Sequence, residues 1–137
     1  MSYRPTGLAA ALACALLALS ALALAPAAEA GRVYKGKTAQ RHPIKIAMRA
    51  KSLKVLHFKA KLRCRDGSIL IDDESGFLPT PIKGNGSFRD AQVGSTDEVL
   101  IRGRRGGHAV RGKIRVTDRV GKVRCNSKWI KFSARGR

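Results

Sequence analysis

The stretch Leu53-Lys54-Val55-Leu56-His57-Phe58-Lys59-Ala60-Lys61-Leu62-Arg63-Cys64 decides the fold class of this chain. Leu56, Phe58, Ala60, Leu62 and Cys64 are apolar and alternate with His57, Lys59, Lys61 and Arg63. A period of two marks a half-buried strand, because successive side chains leave a strand on opposite faces. This strand has one oily face and one cationic face. Val110-Arg111-Gly112-Lys113-Ile114-Arg115-Val116 repeats the scheme, with Val110, Gly112, Ile114 and Val116 directed inward and the three cations outward. Ile44, Ile46 and Met48 alternate with Lys45, Ala47 and Arg49 in the same way.

Weaker strand signals fill the rest of the chain. Residues 33–38 read as an edge strand blunted by Lys35, Gly36 and Lys37. Residues 69–73 and 99–102 are short apolar runs, and 123–125 and 129–134 form a last region whose inward register shifts near Ser127-Lys128, read as a bulge. Turn signals separate them: Arg65-Asp66-Gly67-Ser68, Gly84-Asn85-Gly86, residues 104–107 and residues 118–121. Phe77-Leu78-Pro79-Thr80-Pro81 cannot donate a backbone hydrogen bond at either proline, so an irregular crossing or edge segment is expected there. After residue 30 no stretch carries a helical stripe. About seven or eight short strands at this spacing predict an all-β, single antiparallel sandwich, immunoglobulin-like or jelly-roll-like, with a small barrel as the runner-up.

The first thirty residues have another character. Arg4 precedes an uncharged run of Ala and Leu over residues 8–24, followed by Ala25-Pro26-Ala27-Ala28-Glu29-Ala30. A positive start, an apolar middle and small residues at the end are the layout of a secretory signal peptide. Ala28 and Ala30 occupy the −3 and −1 positions of the expected cut, with cuts after Ala27 or Ala28 as alternatives. The apolar run is at the bottom of the range that spans a bilayer, so no stable membrane span is expected once residues 1–30 are gone. Cys14 sits in the middle of that run rather than at its close, which argues against a lipid anchor. The expected product is one domain, residues 31–137, secreted or associated with the cell envelope. Of its cysteines, Cys64 and Cys125 form the one possible pair, and an oxidising compartment favours their disulfide. A bond between two inward-facing rows suits a sandwich, with the disulfide joining its two sheets.

Charge narrows the partners. The 137 residues hold 28 Lys and Arg against 9 Asp and Glu, a formal charge of +19, with 44% hydrophobic residues. The apolar content excludes a disordered basic tail, and the length excludes a multidomain enzyme. Loss of Arg4 and Glu29 with the leader leaves the charge unchanged. Residues two apart on a strand are ~6.8 Å apart, so Lys59, Lys61 and Arg63, continued by Arg65, form one cationic ladder, and Arg111, Lys113 and Arg115 form a second. Together they predict attraction to an anionic polymer: a wall polymer, an acidic polysaccharide or a nucleic acid.

Catalytic chemistry has little support. His42, His57 and His108 are scattered, and neither a G-x-S-x-G elbow nor an H-E-x-x-H motif is present. Asp72-Asp73-Glu74 is the only acidic cluster, lacks the spacing of a calcium loop, and is expected to offset neighbouring cations. No cofactor or metal motif is found. Gly103-Arg104-Arg105-Gly106-Gly107 reads as a hairpin turn, and Trp129 as a core residue near the disulfide. The function expected is therefore a non-catalytic, secreted basic domain that binds anionic polymers. The alternative is a protein-binding module, inhibitor or adhesin, presenting residues 77–82, with the charge serving solubility. A hydrolase would draw on Asp72, Asp73, Glu74, Asp97 or Glu98, and a membrane-damaging toxin lacks the expected amphipathic helix.

The motifs Val33-Tyr34-Lys35-Gly36-Lys37-Thr38, Leu62-Arg63-Cys64-Arg65-Asp66-Gly67, Gly86-Ser87-Phe88 and Val123-Arg124-Cys125-Asn126-Ser127 carry a resemblance. Over nearly all of residues 31–137 the chain resembles a small group of uncharacterised secreted β-proteins from actinobacteria. The resemblance implies a shared architecture. Its motifs are glycines, cysteines and strand positions, so it implies no catalytic or binding residue.

Overall fold

Alternating sequence becomes alternating burial along most of the chain. The computed structural model describes residues 31–136, so the expected leader and its cleavage positions Ala28 and Ala30 lie outside the described residues. Nine strands and no helix occur among those described: β1 Arg32–Thr38, β2 Pro43–Arg49, β3 Ser52–Cys64, β4 Ile69–Pro81, β5 Ser87–Val93, β6 Asp97–Gly106, β7 Ala109–Val120, β8 Val123–Asn126 and β9 Ile130–Gly136. All the pairings are antiparallel. The main path runs β4-β3-β2-β1-β9-β7-β6-β5, and β8 pairs with both β3 and β7. The sheet thus folds over on itself in a sandwich-like way, and the circuit β1-β2-β3-β8-β7-β9 returns to its start.

One core lies inside. Tyr34, Ile44, Ile46, Met48, Leu53, Leu56, Phe58, Leu62, Ile101, Val110, Ile114, Val116, Ile130 and Phe132 are all buried in one cluster. Their positions are the apolar phase of the period-two pattern, so burial of that phase selects both the strand register and the face turned outward. Turns fall at the expected glycines. Gly67 and Gly121 have φ of 85° and 61°, which a residue with a Cβ adopts only with strain. In the first turn Ser68 donates from its backbone N and its hydroxyl to Asp66 Oδ1 (2.9 and 2.6 Å), which holds the Asp66 carboxyl below its ordinary value.

The structure departs from the sequence pattern at four places. First, there is an additional strand, β5, whose inward positions are Phe88, Asp90 and Gln92. Two polar residues in three hide its periodicity. Asp90 Oδ2 accepts a 2.5 Å hydrogen bond from the buried hydroxyl of Thr80, linking β5 to β4 across the gap between the two edges of the path. Second, β1 is not an edge: it pairs with β2 on one side and β9 on the other. Gly36 is where β9 crosses closest, and a Cβ there would collide with the Ser133 carbonyl. Third, β4 continues past the expected residues 69–73, so that residues 77–81, at an edge as expected, are the end of a strand paired with β3 through an irregularity between Leu53 and Val55, and Ile82 beyond them is buried. They do not form a projecting loop. Fourth, the disulfide Cys64–Cys125 links β3 to the adjacent β8, where the two cysteines sit directly opposite, rather than bridging separate sheets.

The expected register break near Ser127-Lys128 is present. Residues 127–129 separate β8 from β9, Lys128 has a φ of 55°, and both flanking strands pair with β7. Ser127 ties the break to β7 in both directions: its N–H donates to Val116 O, and its Oγ accepts from Val116 N at 2.9 Å.

Two measurements check this architecture. Replacing both Cys64 and Cys125 by Ser should lower unfolding free energy by about 2–4 kcal/mol in denaturant titrations, since a long loop is then left open in the unfolded chain. Reductant should produce the same loss in the wild type and none in the variant. Gly36→Ala should cost roughly 1–3 kcal/mol by overpacking, while Gly106→Ala, with open space around the new methyl, should be near neutral.

Candidate functional site

Directly opposed residues in an antiparallel pair share a face, so strand register maps the charges. Arg89 on β5 is opposite Arg102 on β6, Arg102 is opposite Lys113 on β7, and Lys113 is opposite Lys131 on β9. Four cations therefore cross four adjacent strands in one outward row. One step along, Arg104 faces Arg111; further on, Arg135 faces Lys35 and Lys35 faces Lys45. Like charges at such spacing repel, and the outer face is correspondingly poised to take up anions.

The acids are distributed differently. Asp72 is opposite buried Ala60, Glu74 opposite Phe58, Asp90 opposite Ile101, and Asp118 opposite both Cys125 and Asp97. These five acids sit on the inward register and are half-buried. The sequence expectation that Asp72-Asp73-Glu74 offsets nearby cations holds for Asp73 alone. Asp73 Oδ1 is 3.1 Å from His57 Nε2, and its Oδ2 is 3.6 Å from Lys59 Nζ. The alternation sends its two neighbours to the other face.

Lys59, Lys61 and Arg63 occupy outward positions of β3, as expected, and Arg65 begins the following turn, its N–H bonded to Arg124 O. The second ladder, Arg111, Lys113 and Arg115, is on the outward side of β7, with Arg111 exposed and the other two half-buried. A single strand separates the two ladders: Arg63 is opposite Asn126 of β8, and Asn126 is opposite Thr117 of β7. β3 and β7 thus run in the same direction about 10 Å apart, two inter-strand spacings.

Trp129 is the residue that sequence reasoning misplaced. It is 37% exposed, outside the core, in the break between β8 and β9. Arg102 Cζ lies 4.4 Å and Arg115 Cζ 5.3 Å from its ring centroid. Arg115 Nε is buried there without a hydrogen-bond partner, so the indole is what its guanidinium rests against. The positive φ of Lys128 turns the chain out of the inward register; the phase slip near Ser127-Lys128 signals that break without saying which side Trp129 takes.

Beside this face is an internal carboxyl cluster. The Glu74 carboxyl is pushed up to about 7 by burial, then by the hydrogen bond and charge of Asp72, and by the charges of Asp97 and Asp118. Of the acids a hydrolase would draw on, Asp72, Glu74 and Asp97 come together and Asp118 joins them, whereas Asp73 and Glu98 are on the outward register. Glu74 holds its proton to near neutrality; among the described residues no group of three His, Cys, Asp or Glu forms a metal-ligand set. Among the described residues no helix is long and apolar enough to cross a membrane.

The fold and site define a disulfide-bridged all-β domain with cations outward and most strand carboxylates inward. Compared with known proteins, the chain matches no family model and no curated protein.

Glu74 has a measurable consequence. A carboxyl that binds its proton more tightly folded than unfolded stabilises the fold fully below its ordinary value of 4.5, and that contribution is lost as pH rises through about 7. Glu74→Gln should therefore match the wild-type Tm at about pH 4 and exceed it at about pH 8. Parallel Tm curves for the two proteins would show that Glu74 titrates normally.

Proposed function

We propose that this chain is a non-catalytic, secreted basic β-domain that binds anionic polymers at the cell envelope or outside the cell. The observation that carries the reading is the row Arg89–Arg102–Lys113–Lys131, which has no carboxylate in it and an exposed indole beside it. Inward placement of Asp72, Glu74, Asp90, Asp97 and Asp118 strengthens it, because few carboxylates are left among the outward cations. Contacts repeated across strands suit a chain of repeating negative charge, and release of its counter-ions drives binding. The leader-like layout of residues 1–30 and the disulfide support an extracellular location.

Retention on phosphocellulose as a function of salt tests the reading. Replacing Arg89, Lys113 and Lys131 by Gln together should move elution to lower salt and reduce the salt slope by about two to three, roughly one per lost contact. Replacing Lys35, Lys45 and Arg135 removes the same charge from another row and should have a smaller effect. Equal losses for the two triple variants would mean that the charge is a general solubilising coat, and the reading fails.

A further inference from the structure

The seam between the two ladders holds a recess that the outer rows do not explain. Its volume is about 410 Å³, and it is lined by Gln40, Lys61, Arg63, Asn126, Ser127 and Lys128. It forms because β2 ends before β3 does, leaving the far end of β3 to pair with the short β8, while the chain breaks at 127–129 before β9 begins.

The uncharged polar groups of the wall are committed to holding it in shape. Gln40 imitates a missing strand: its Nε2 donates to Lys61 O at 2.9 Å and its Oε1 accepts from Lys61 N at 2.8 Å. Asn126 Nδ2 donates to Thr117 Oγ1 at 2.9 Å, and its Oδ1 accepts from Lys128 N at 2.5 Å. Ser127 Oγ donates to Lys128 O at 2.7 Å while accepting from β7. Lys61 and Arg63 are thus carried on a braced strand, and the backbone of Lys128 is pinned at a positive φ.

The charged groups are not committed. Among the described residues the ion pairs are those of Asp73 with His57 and Lys59, and neither touches Lys61, Arg63 or Lys128. Opposite Lys61 and Arg63 on β4 stand Ile71 and Ile69, which offer no acceptor side chain. Three cations around one concavity with no acid in its lining repel one another, and the arrangement suits a compact group carrying two negative charges. Arg63 offers a planar fork of N–H donors matched to paired oxygens, and the two lysines offer point charges.

We propose that this recess is a subsite for a phosphomonoester group, such as one at the end or on a branch of the polymer. The inference rests on the polyanion reading and adds to it: the outer row holds the chain of charges, and the recess takes a single dianionic group. A phosphomonoester gains its second charge near pH 6, so affinity rises through that range. A carboxylate carries one charge and one plane of oxygens, and engages fewer of the donors.

Inorganic phosphate is the probe, with chloride at matched ionic strength as the control and backbone amide NMR as the readout on the folded domain. Saturable shifts are expected at Lys61, Arg63, Asn126, Ser127 and Lys128, stronger at about pH 7.5 than at about pH 5.5. Arg63→Gln and Lys128→Gln should each weaken phosphate binding about tenfold, as loss of a charge-assisted contact does. Arg89→Gln, on the outer row, should leave it unchanged. All three side chains are exposed, and an unaltered spectrum elsewhere confirms that each variant folds. Shifts that do not saturate, that follow chloride equally, or that persist in both recess variants overturn the subsite. Phosphocellulose retention separates the two ideas: if it survives while the recess shows no phosphate binding, the subsite is wrong and the polymer reading stands. If the outer-row variants also leave retention unchanged, both are wrong.

Discussion

The closure of the strand circuit and the juxtaposition of the two ladders depend on how β8 fits between β3 and β7. That strand has four residues, yet it pairs on both sides and returns the ladder circuit to its start. Such a short element supplies few backbone hydrogen bonds of its own. The Cys64–Cys125 bond and the hydrogen bonds of Asn126 and Ser127 hold it in place instead. The seam makes neighbours of two ladders far apart in sequence, opens the recess between them, and sets Trp129 beyond the end of β8 on the outside.

Charge segregation is the second organising constraint. A strand offers each residue one of two faces, and the apolar phase claims the inner one because the core forms there. In β2, β3 and β7 the remaining phase is cationic, so cations go outward by default. Asp72, Glu74, Asp90, Asp97 and Asp118 share the apolar phase and are drawn inward. There Asp72, Glu74, Asp97 and Asp118 meet at the cost of mutual repulsion, which Glu74 relieves by keeping its proton to near neutrality. The consequence is a surface more positive than composition alone implies. That surface, with its unneutralised outer row, is what the polyanion reading depends on.

Legibility in the sequence followed the strength of the alternation. Residues 56–64 and 110–116 have a clean period, and both faces fall where that period puts them. The bulge at 127–128 was visible as a phase slip between Cys125 and Phe132. β5 was invisible because Asp90 and Gln92 occupy inward positions, and only the approach of β4 makes an inward carboxylate there sensible, through Thr80. Lys35-Gly36-Lys37 looks like edge protection, yet β1 has a neighbour on each side. Gly36 is there because β9 passes too close for a side chain. The size of Trp129 suits a core, and it lies outside because a left-handed residue precedes it.

Composition and local pattern sufficed for the all-β class, the pairing of two distant cysteines, and the sidedness of the two ladders. Each is a matter of period, of count, or of both, which a linear chain carries in full. Strand order, the seam and the recess needed the folded chain. They arise from pairings between segments separated by many residues, and a period of two says which face a residue takes without saying which strand lies beside it. The same limit explains the acids: residues 72, 74, 97 and 118 are adjacent only after β4 has been brought against the pair β6 and β7. The raised proton affinity of Glu74 is therefore a property of the fold and of no single stretch of sequence.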